Sequence, residues 1–233
     1  MAMIKDNIAR LQDDISLICR KLGRSPEEIT FVCVTKFASA PMIQEALDCR
    51  IRHVGENKVQ EAIQKYSAFD FPAKKITRHM IGHLQTNKVA DALKIFDVIQ
   101  SVDSLKLAQT IDKNAQKLDK KIDTLIQVNA SGEKQKFGIA ETETLTLMSG
   151  MAQLKNLNVL GLMTVGPLTD EAEIIRNCFR KLRELRDRVA REFSGVSNIS
   201  MKFLSMGMSA DYRIAIEEGA NMVRIGSAIF KNV

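Results

Sequence analysis

Tryptophan is absent from the 233 residues, tyrosine occurs only twice, and aromatic residues together make up 5%. Platforms on which nucleobases could stack are therefore scarce, although a net charge of +6 would otherwise invite nucleic acid. The 34 basic residues are interspersed with 28 acidic ones. The densest basic stretch, Arg176, Arg180, Lys181, Arg183, Arg186, Arg188 and Arg191, is interleaved with Glu184, Asp187 and Glu192, as on a solvated helix face. Nucleic acid is not expected as a partner. Only 4 prolines and 12 glycines are present, which excludes collagen-like and low-complexity chains. No apolar run reaches the roughly 18 residues that span a bilayer, and Met1 to Asp6 lack the apolar segment of a secretory signal, so a cytoplasmic location without membrane is expected. The four cysteines, Cys19, Cys33, Cys49 and Cys178, lack the close pairing of a zinc or redox motif and are read as reduced structural thiols. Neither G-x-G-x-x-G nor G-x-x-x-x-G-K occurs, which argues against an open doubly wound nucleotide fold.

With 45% hydrophobic residues the chain can form a sizeable core, and its length fits one domain over residues 1–233. Ile4, Ile8, Leu11, Ile15, Ile18 and Leu22 recur at steps of three and four, predicting an amphipathic helix that ends near Gly23. Ser25-Pro26-Glu27-Glu28 carries a capping-box signature and predicts a short helical turn. Thr30 to Lys36 then reads as a strand buried on both faces. Similar runs lie at 53–57, 76–83, 98–104, 123–130, 159–165, 203–209 and 222–230. They alternate with helical patterns such as 40–49, 87–96, 105–118, 141–151, 169–193 and 211–218. Eight such alternations predict an α/β protein: a single (β/α)8 TIM barrel with an extra N-terminal helix.

Such a barrel places its chemistry at the C-terminal ends of the strands. A lysine there, Lys36, is expected to be partly desolvated, and either pairs with an anion structurally or loses its proton and becomes a nucleophile for an aldehyde. Gly55-Glu56-Asn57, Gly82-His83 with Gln85 and Asn87, and Asn129 to Gly132 bring further polar groups to the same rim. His79 and His83, four apart on a strand, would lie about 13 Å apart, too far to share a metal, so no metal site is assigned. The stretch Phe203 to Ser209 ends in small residues, with Ser209 placed to cap the next helix. Arg224-Ile225-Gly226-Ser227-Ala228 follows the last strand, and loops at these two positions commonly hold phosphate. Alternation turns Arg224 into the barrel when Val223 and Ile225 face out. A buried guanidinium needs a partner there, either a carboxylate such as Glu56 or a ligand ring nitrogen.

Lys36 after the first strand, Gly55-Glu56-Asn57, the run Ile81-Gly82-His83-Leu84-Gln85-Thr86-Asn87-Lys88, and Gly161-Leu162-Met163-Thr164 recur in order in one family. Leu204-Ser205-Met206-Gly207-Met208-Ser209 and Val223-Arg224-Ile225-Gly226-Ser227-Ala228-Ile229-Phe230 agree with it. From Ile4 to Phe230 the chain resembles the YggS/PROSC family of pyridoxal-phosphate homeostasis proteins, similar in barrel to the N-terminal domain of alanine racemase. The resemblance implies a fold type III pyridoxal-phosphate protein without the C-terminal β domain. It also implies that Lys36 forms the Schiff base, that Ser205, Gly207, Gly226 and Ser227 hold the phosphate, that Arg224 faces the pyridine nitrogen, and that Asn57, His83 and Met163 line the pocket. Phe37-Ala38-Ser39, Lys58 and Gly166 depart from the family's usual residues beside that pocket, and Lys231-Asn232-Val233 ends the chain sooner than in many relatives.

Three functions follow from these expectations. The first is a non-catalytic binder that carries or buffers pyridoxal 5′-phosphate on Lys36, influences vitamin B6 and amino-acid balance, and hands the cofactor to apo-enzymes. The second is an amino-acid racemase, which needs acid/base groups on both faces of the substrate carbon. Alanine racemase takes one of these from a second domain, and this chain has only Tyr66 and Tyr212, neither at a strand end. The third is a phosphosugar isomerase using a carboxylate base. Carriage is favoured, as a monomer, because the second domain that dimerises alanine racemase is missing.

Overall fold

The computed structural model describes residues 3–73, 75–133 and 135–231. Met1 and Ala2 of the expected leader-free start, and Asn232 and Val233 of the short C-terminal end, lie outside them. Eight parallel strands close into a barrel in sequence order: β1 (Thr30–Val34), β2 (His53–Glu56), β3 (Thr77–Met80), β4 (Val98–Val102), β5 (Ile122–Gln127), β6 (Leu157–Met163), β7 (Ile199–Ser205) and β8 (Met222–Ile225). Helices α1 (Ile4–Lys21), α2 (Ala40–Asp48), α3 (Val59–Tyr66), α4 (Val89–Ile95), α5 (Leu105–Lys117), α6 (Thr144–Met151), α7 (Ala172–Glu192), α8 (Tyr212–Glu217) and α9 (Ser227–Phe230) surround it. The barrel with its extra N-terminal helix is the architecture the alternating pattern predicts.

Every strand ends before its apolar run does. Past the strand ends, Val128, Ala130 and Met206 join the larger apolar cluster and Val165 packs on the luminal one, so hydrophobicity outlasts pairing. The seventh strand differs the other way. It starts at Ile199 rather than Phe203, since half-buried Ile199 and Met201 alternate with exposed Ser200 and Lys202 and so break the continuous apolar run. Helix α3 was absent from the sequence-based helices, its eight residues being half polar.

Two apolar clusters divide the interior. The larger fills the space between strands and helices. A smaller one of Val32, Leu125, Met163 and Met222 lies inside the barrel, with Leu160, Val165 and Phe203 against it. Helix α1 buries Ile4, Ile8, Leu11, Ile15 and Ile18 against this shell and is tied on by polar contacts. Asn7 Nδ2 donates to Ile229 O (2.9 Å), and the Tyr212 hydroxyl donates to Asp14 Oδ2 (2.5 Å). The predicted capping box forms at Ser25, and Arg24 donates to the C-terminal carbonyls of the α8 region at Ile216 (3.1 Å) and Ala220 (3.0 Å).

The arginines of α7 have a structural use. Arg176, Arg180 and Arg183 converge on Glu218, which is buried just after α8, at 3.0, 3.5 and 3.0 Å. This clamps α7 to α8 and accounts for much of the basic run without an anionic partner. All four cysteines are free; burial raises the Cys178 thiol to about 11. Among the described residues no helix is long and apolar enough to cross a membrane.

Candidate functional site

The rim at the C-terminal strand ends is built first by β1 and β2. Strand β1 stops at Val34, and Lys36 sits on the turn that follows, not within the strand as expected. The reason lies in Thr35. Its amide donates to Gly55 O (2.9 Å), while its hydroxyl donates to Glu56 Oε1 (2.9 Å), pulling the chain toward β2 and into a turn. Lys36 is exposed, with its ammonium 4.9 Å from the centre of the Phe37 ring. The expected desolvation of this amine is therefore corrected: Phe37, itself 83% exposed, offers a ring face rather than an enclosing wall.

What holds Lys36 is its backbone. Lys65, near the end of α3, donates from Nζ to Thr35 O (3.0 Å), Lys36 O (2.9 Å) and Glu56 Oε1 (2.9 Å). Glu56 is wholly buried, and its other oxygen accepts from the Asn57 amide at 3.3 Å. Tyr66 completes the anchor, its hydroxyl 3.1 Å from Thr35 Oγ1, and burial raises that phenol well above its usual value. Because the single Thr35 hydroxyl proton points to Glu56, Tyr66 is the donor of this bond. Glu56 is thus the partner of Lys65 and Thr35, not of Arg224.

Asn57 is half-buried beside the end of β3. A Cβ on Gly82 would lie 2.3 Å from Asn57 O, so only glycine allows this approach. His83 lies past the end of β3, exposed on the rim. Its ring stacks on Phe137 (4.1 Å between centroids, 13° between planes), and Nδ1 is 3.4 Å from Asp103 Oδ2. With Gln85, Thr86, Asn87 and Ser104 it lines a cleft of about 370 Å³. His79, by contrast, is in the barrel. Met163 is fully buried in the luminal cluster.

The loops after β7 and β8 are laced together. Arg224 N donates to Gly207 O (2.9 Å), and Ala228 N donates to Ser209 Oγ (3.2 Å). Ser209 therefore bridges to the start of α9 and does not cap α8, where Asp211 takes the N-cap place. Gly207 has φ +94° and packs so closely on Tyr212 and Ala215 that a Cβ would come within 2.6 Å of Ala215 Cβ. A Cβ on Gly226 would be 2.9 Å from Val34 O, which places this loop directly beside the segment leading to Lys36. Ser227 is exposed at the same edge.

Ser205 is not at that edge. Register opposite Met222 keeps it in β7, wholly buried, where its hydroxyl is already engaged. Arg224 Nη1 donates to Ser205 Oγ (2.7 Å), Ser205 Oγ donates to Gln100 Oε1 (2.7 Å), and Gln100 Nε2 is 2.9 Å from His79 Nδ1. His79 Nε2 is in turn 3.0 Å from His53 Nδ1. Strands β4 and β7 are not neighbours in the barrel, so the Gln100–Ser205 bond crosses the lumen. The phosphate contact expected of Ser205 has no free hydroxyl to make it. Arg224 points inward as alternation requires, and its second bond goes to Thr164 O (2.7 Å). Both partners are neutral, Asp211 is the carboxylate near enough to be felt, and burial lowers the guanidinium to about 10, which leaves it charged at neutral pH.

Gln100, His53, His79 and Lys65 escaped sequence reasoning as site residues. The usable signal was a polar residue in the middle of an apolar strand, as in Val98-Ile99-Gln100-Ser101-Val102.

The family model described as the N-terminal domain of alanine racemase matches residues 7–232. A protein of Aquifex aeolicus named pyridoxal phosphate homeostasis protein is 39% identical over 225 residues, covering 97% of this chain and 96% of its own. The solved structure of a protein of unknown role from Bifidobacterium adolescentis superposes with TM-score 0.92 at 32% identity, covering 97% and 94% of the two chains. PipY of Synechococcus elongatus, solved with pyridoxal phosphate bound, superposes with TM-score 0.80 at 30% identity, covering 93% and 99%.

Proposed function

The chain belongs to the alanine racemase N-terminal domain family and stands among the pyridoxal phosphate homeostasis proteins, and from that premise we propose that it binds pyridoxal 5′-phosphate to carry and buffer it rather than to turn over a substrate. One observation carries this reading. A buried guanidinium, Arg224, has only neutral hydrogen-bond partners, and it lies under two interlaced Gly/Ser loops beside the segment that bears Lys36. A buried cation with no bonded carboxylate favours an anionic ligand. The cradle has room only for backbone at Gly207 and Gly226, as close approach to a phosphate requires.

The ligand, when bound, supplies an aldehyde that a primary amine can hold covalently. Lys36 is the amine placed to do so, on a backbone fixed by Lys65. Gly207, Gly226 and Ser227 hold the phosphate from the two loops, and Ser209 keeps those loops together. Arg224 faces the ring nitrogen and, being cationic, disfavours its protonation, which weakens carbanion chemistry. Asn57 and His83 border the pocket, and Met163 supports its floor. Neither tyrosine is free to serve as the second acid/base group of a racemase at the rim. Tyr66 is sunk against Phe71 and Phe96 with its proton given to Thr35, and the Tyr212 hydroxyl is bound to Asp14. An exposed Lys36 suits release to apo-enzymes by a cytoplasmic monomer.

The purified protein is expected to show the visible band of a lysine-bound cofactor, and borohydride reduction with peptide mapping should place the label on Lys36. Lys36→Ala should abolish both while leaving the circular dichroism unchanged. Full covalent labelling in that variant would overturn the assignment.

A further inference from the structure

The hydrogen bonds crossing the barrel from Arg224 to His53 have a direction that elementary donor counting fixes. Arginine carries donors only. Ser205 must therefore accept from Arg224 Nη1, which commits its single proton to Gln100 Oε1. Gln100 then presents its NH2 group to His79 Nδ1, and the second hydrogen of that group has an acceptor in Met222 Sδ at 3.1 Å, which a flipped carbonyl would not satisfy. His79 is neutral, since burial, with His53 beside it, lowers it to about 3. Its proton must then be on Nε2, pointing at His53 Nδ1, and His53 in turn carries its own proton on Nε2.

We propose that Ser205, Gln100, His79 and His53 form a one-way hydrogen-bond chain that locks the Arg224 guanidinium in a single orientation toward the cofactor site, making them positioning residues for that arginine. The cofactor half of this statement rests on the function proposed above; the locking of Arg224 does not. Every acceptor along the chain is used, so rotating the guanidinium would leave Ser205 without a donor and the buried array with an empty acceptor, a costly state in a dry interior. The arrangement also explains why a serine in a phosphate-loop motif is turned inward.

The test begins with the full-length, cofactor-free protein. Long-range proton–nitrogen NMR should show both His79 and His53 as Nε2–H tautomers, and Arg224 should give separate Nη resonances from slow rotation. A proton on Nδ1 of either histidine would overturn the chain. Ser205→Ala should merge the Arg224 Nη signals, and Gln100→Glu, whose carboxylate can only accept, should move the His79 proton to Nδ1. Retained slow rotation in Ser205→Ala would refute the locking role. With pyridoxal phosphate added, Ser205→Ala should bind about tenfold more weakly and show a displaced visible band. Unchanged affinity and band would overturn the cofactor half. Failure of the wild type to take up pyridoxal phosphate would sink the functional reading alone, because the tautomer and rotation results judge the chain without it.

Discussion

Two polar arrays are built into the barrel, and they immobilise their targets by different means. The outer one, Glu56–Lys65–Thr35–Tyr66, lies between the β1 and β2 ends and α3, and it holds the backbone of Lys36 with opposite formal charges 2.9 Å apart. The inner one, from His53 to Arg224, spans the lumen through uncharged links and ends in one cation. Lys65 is half-buried and keeps some contact with water, so an ion pair is tolerable there. Inside the barrel a second charge would have no solvent to lean on, and orientation is transmitted by neutral donors instead. A protein can thus fix the backbone that bears an amine by charge and a guanidinium by hydrogen-bond direction within one barrel.

The comparison breaks most visibly at Lys65. Lys65→Met leaves the Glu56 carboxylate buried without its counter-ion and should cost about 3 kcal/mol or more of stability in urea denaturation. The pair Glu56→Gln with Lys65→Met should regain most of that loss, yet leave the Lys36 carbonyl unheld; equal instability of single and double variants would show that charge is not the issue. At the inner array His79→Phe keeps the ring volume but strands the Gln100 amide and His53, and a loss of about 2 kcal/mol is expected.

Acid separates the arrays further. The folded value of His79 is about 3 against 6.5 in the free side chain, so as pH falls through this window the unfolded chain takes up the proton first. Its contribution is complete above about pH 6.5 and declines toward pH 3, with a limiting slope of about 1.4 kcal/mol per pH unit. Burial lowers His53 too and acts in the same direction. Stability measured from pH 7 to pH 4 should fall less steeply in His79→Phe than in the wild type; parallel curves would assign acid sensitivity elsewhere. The smallest effect belongs to charge at the exterior. Arg180→Ala, at the exposed edge of the Glu218 cluster, should change stability by less than about 0.5 kcal/mol, and a larger loss would mean that this cluster behaves like the Glu56 pair.

Period and punctuation made the barrel legible. The three-and-four spacing of α1, the Ser25 box and the apolar strands are local signals, and each survives in the folded protein. Strand ends were less legible, because Thr35 turns the chain by bonds to Gly55 and Glu56, twenty residues away. The burial of Ser205 depends on register against Met222, and Ser-Met-Gly-Met-Ser read locally is simply a flexible loop. The luminal chain was out of reach for the same reason. Its five members come from five strands, and only closure of the sheet makes Gln100 and Ser205 partners. Lys65 drew no reading at all, since α3 itself was not anticipated and nothing near it in sequence announces the three oxygens that it binds.

Under the proposed function, the grip of Lys65 also bears on chemoselectivity. Two primary amines stand at the end of β1, equally capable in principle of attacking a reactive carbonyl carbon. All three ammonium hydrogens of Lys65 are bound to oxygen, so it could offer a lone pair only by shedding a proton and breaking its hold on Thr35, Lys36 and Glu56. Lys36 must lose a proton too, but breaks no such bonds in doing so, and under the proposed function the tether that steadies it would keep its neighbour from competing for the same electrophile.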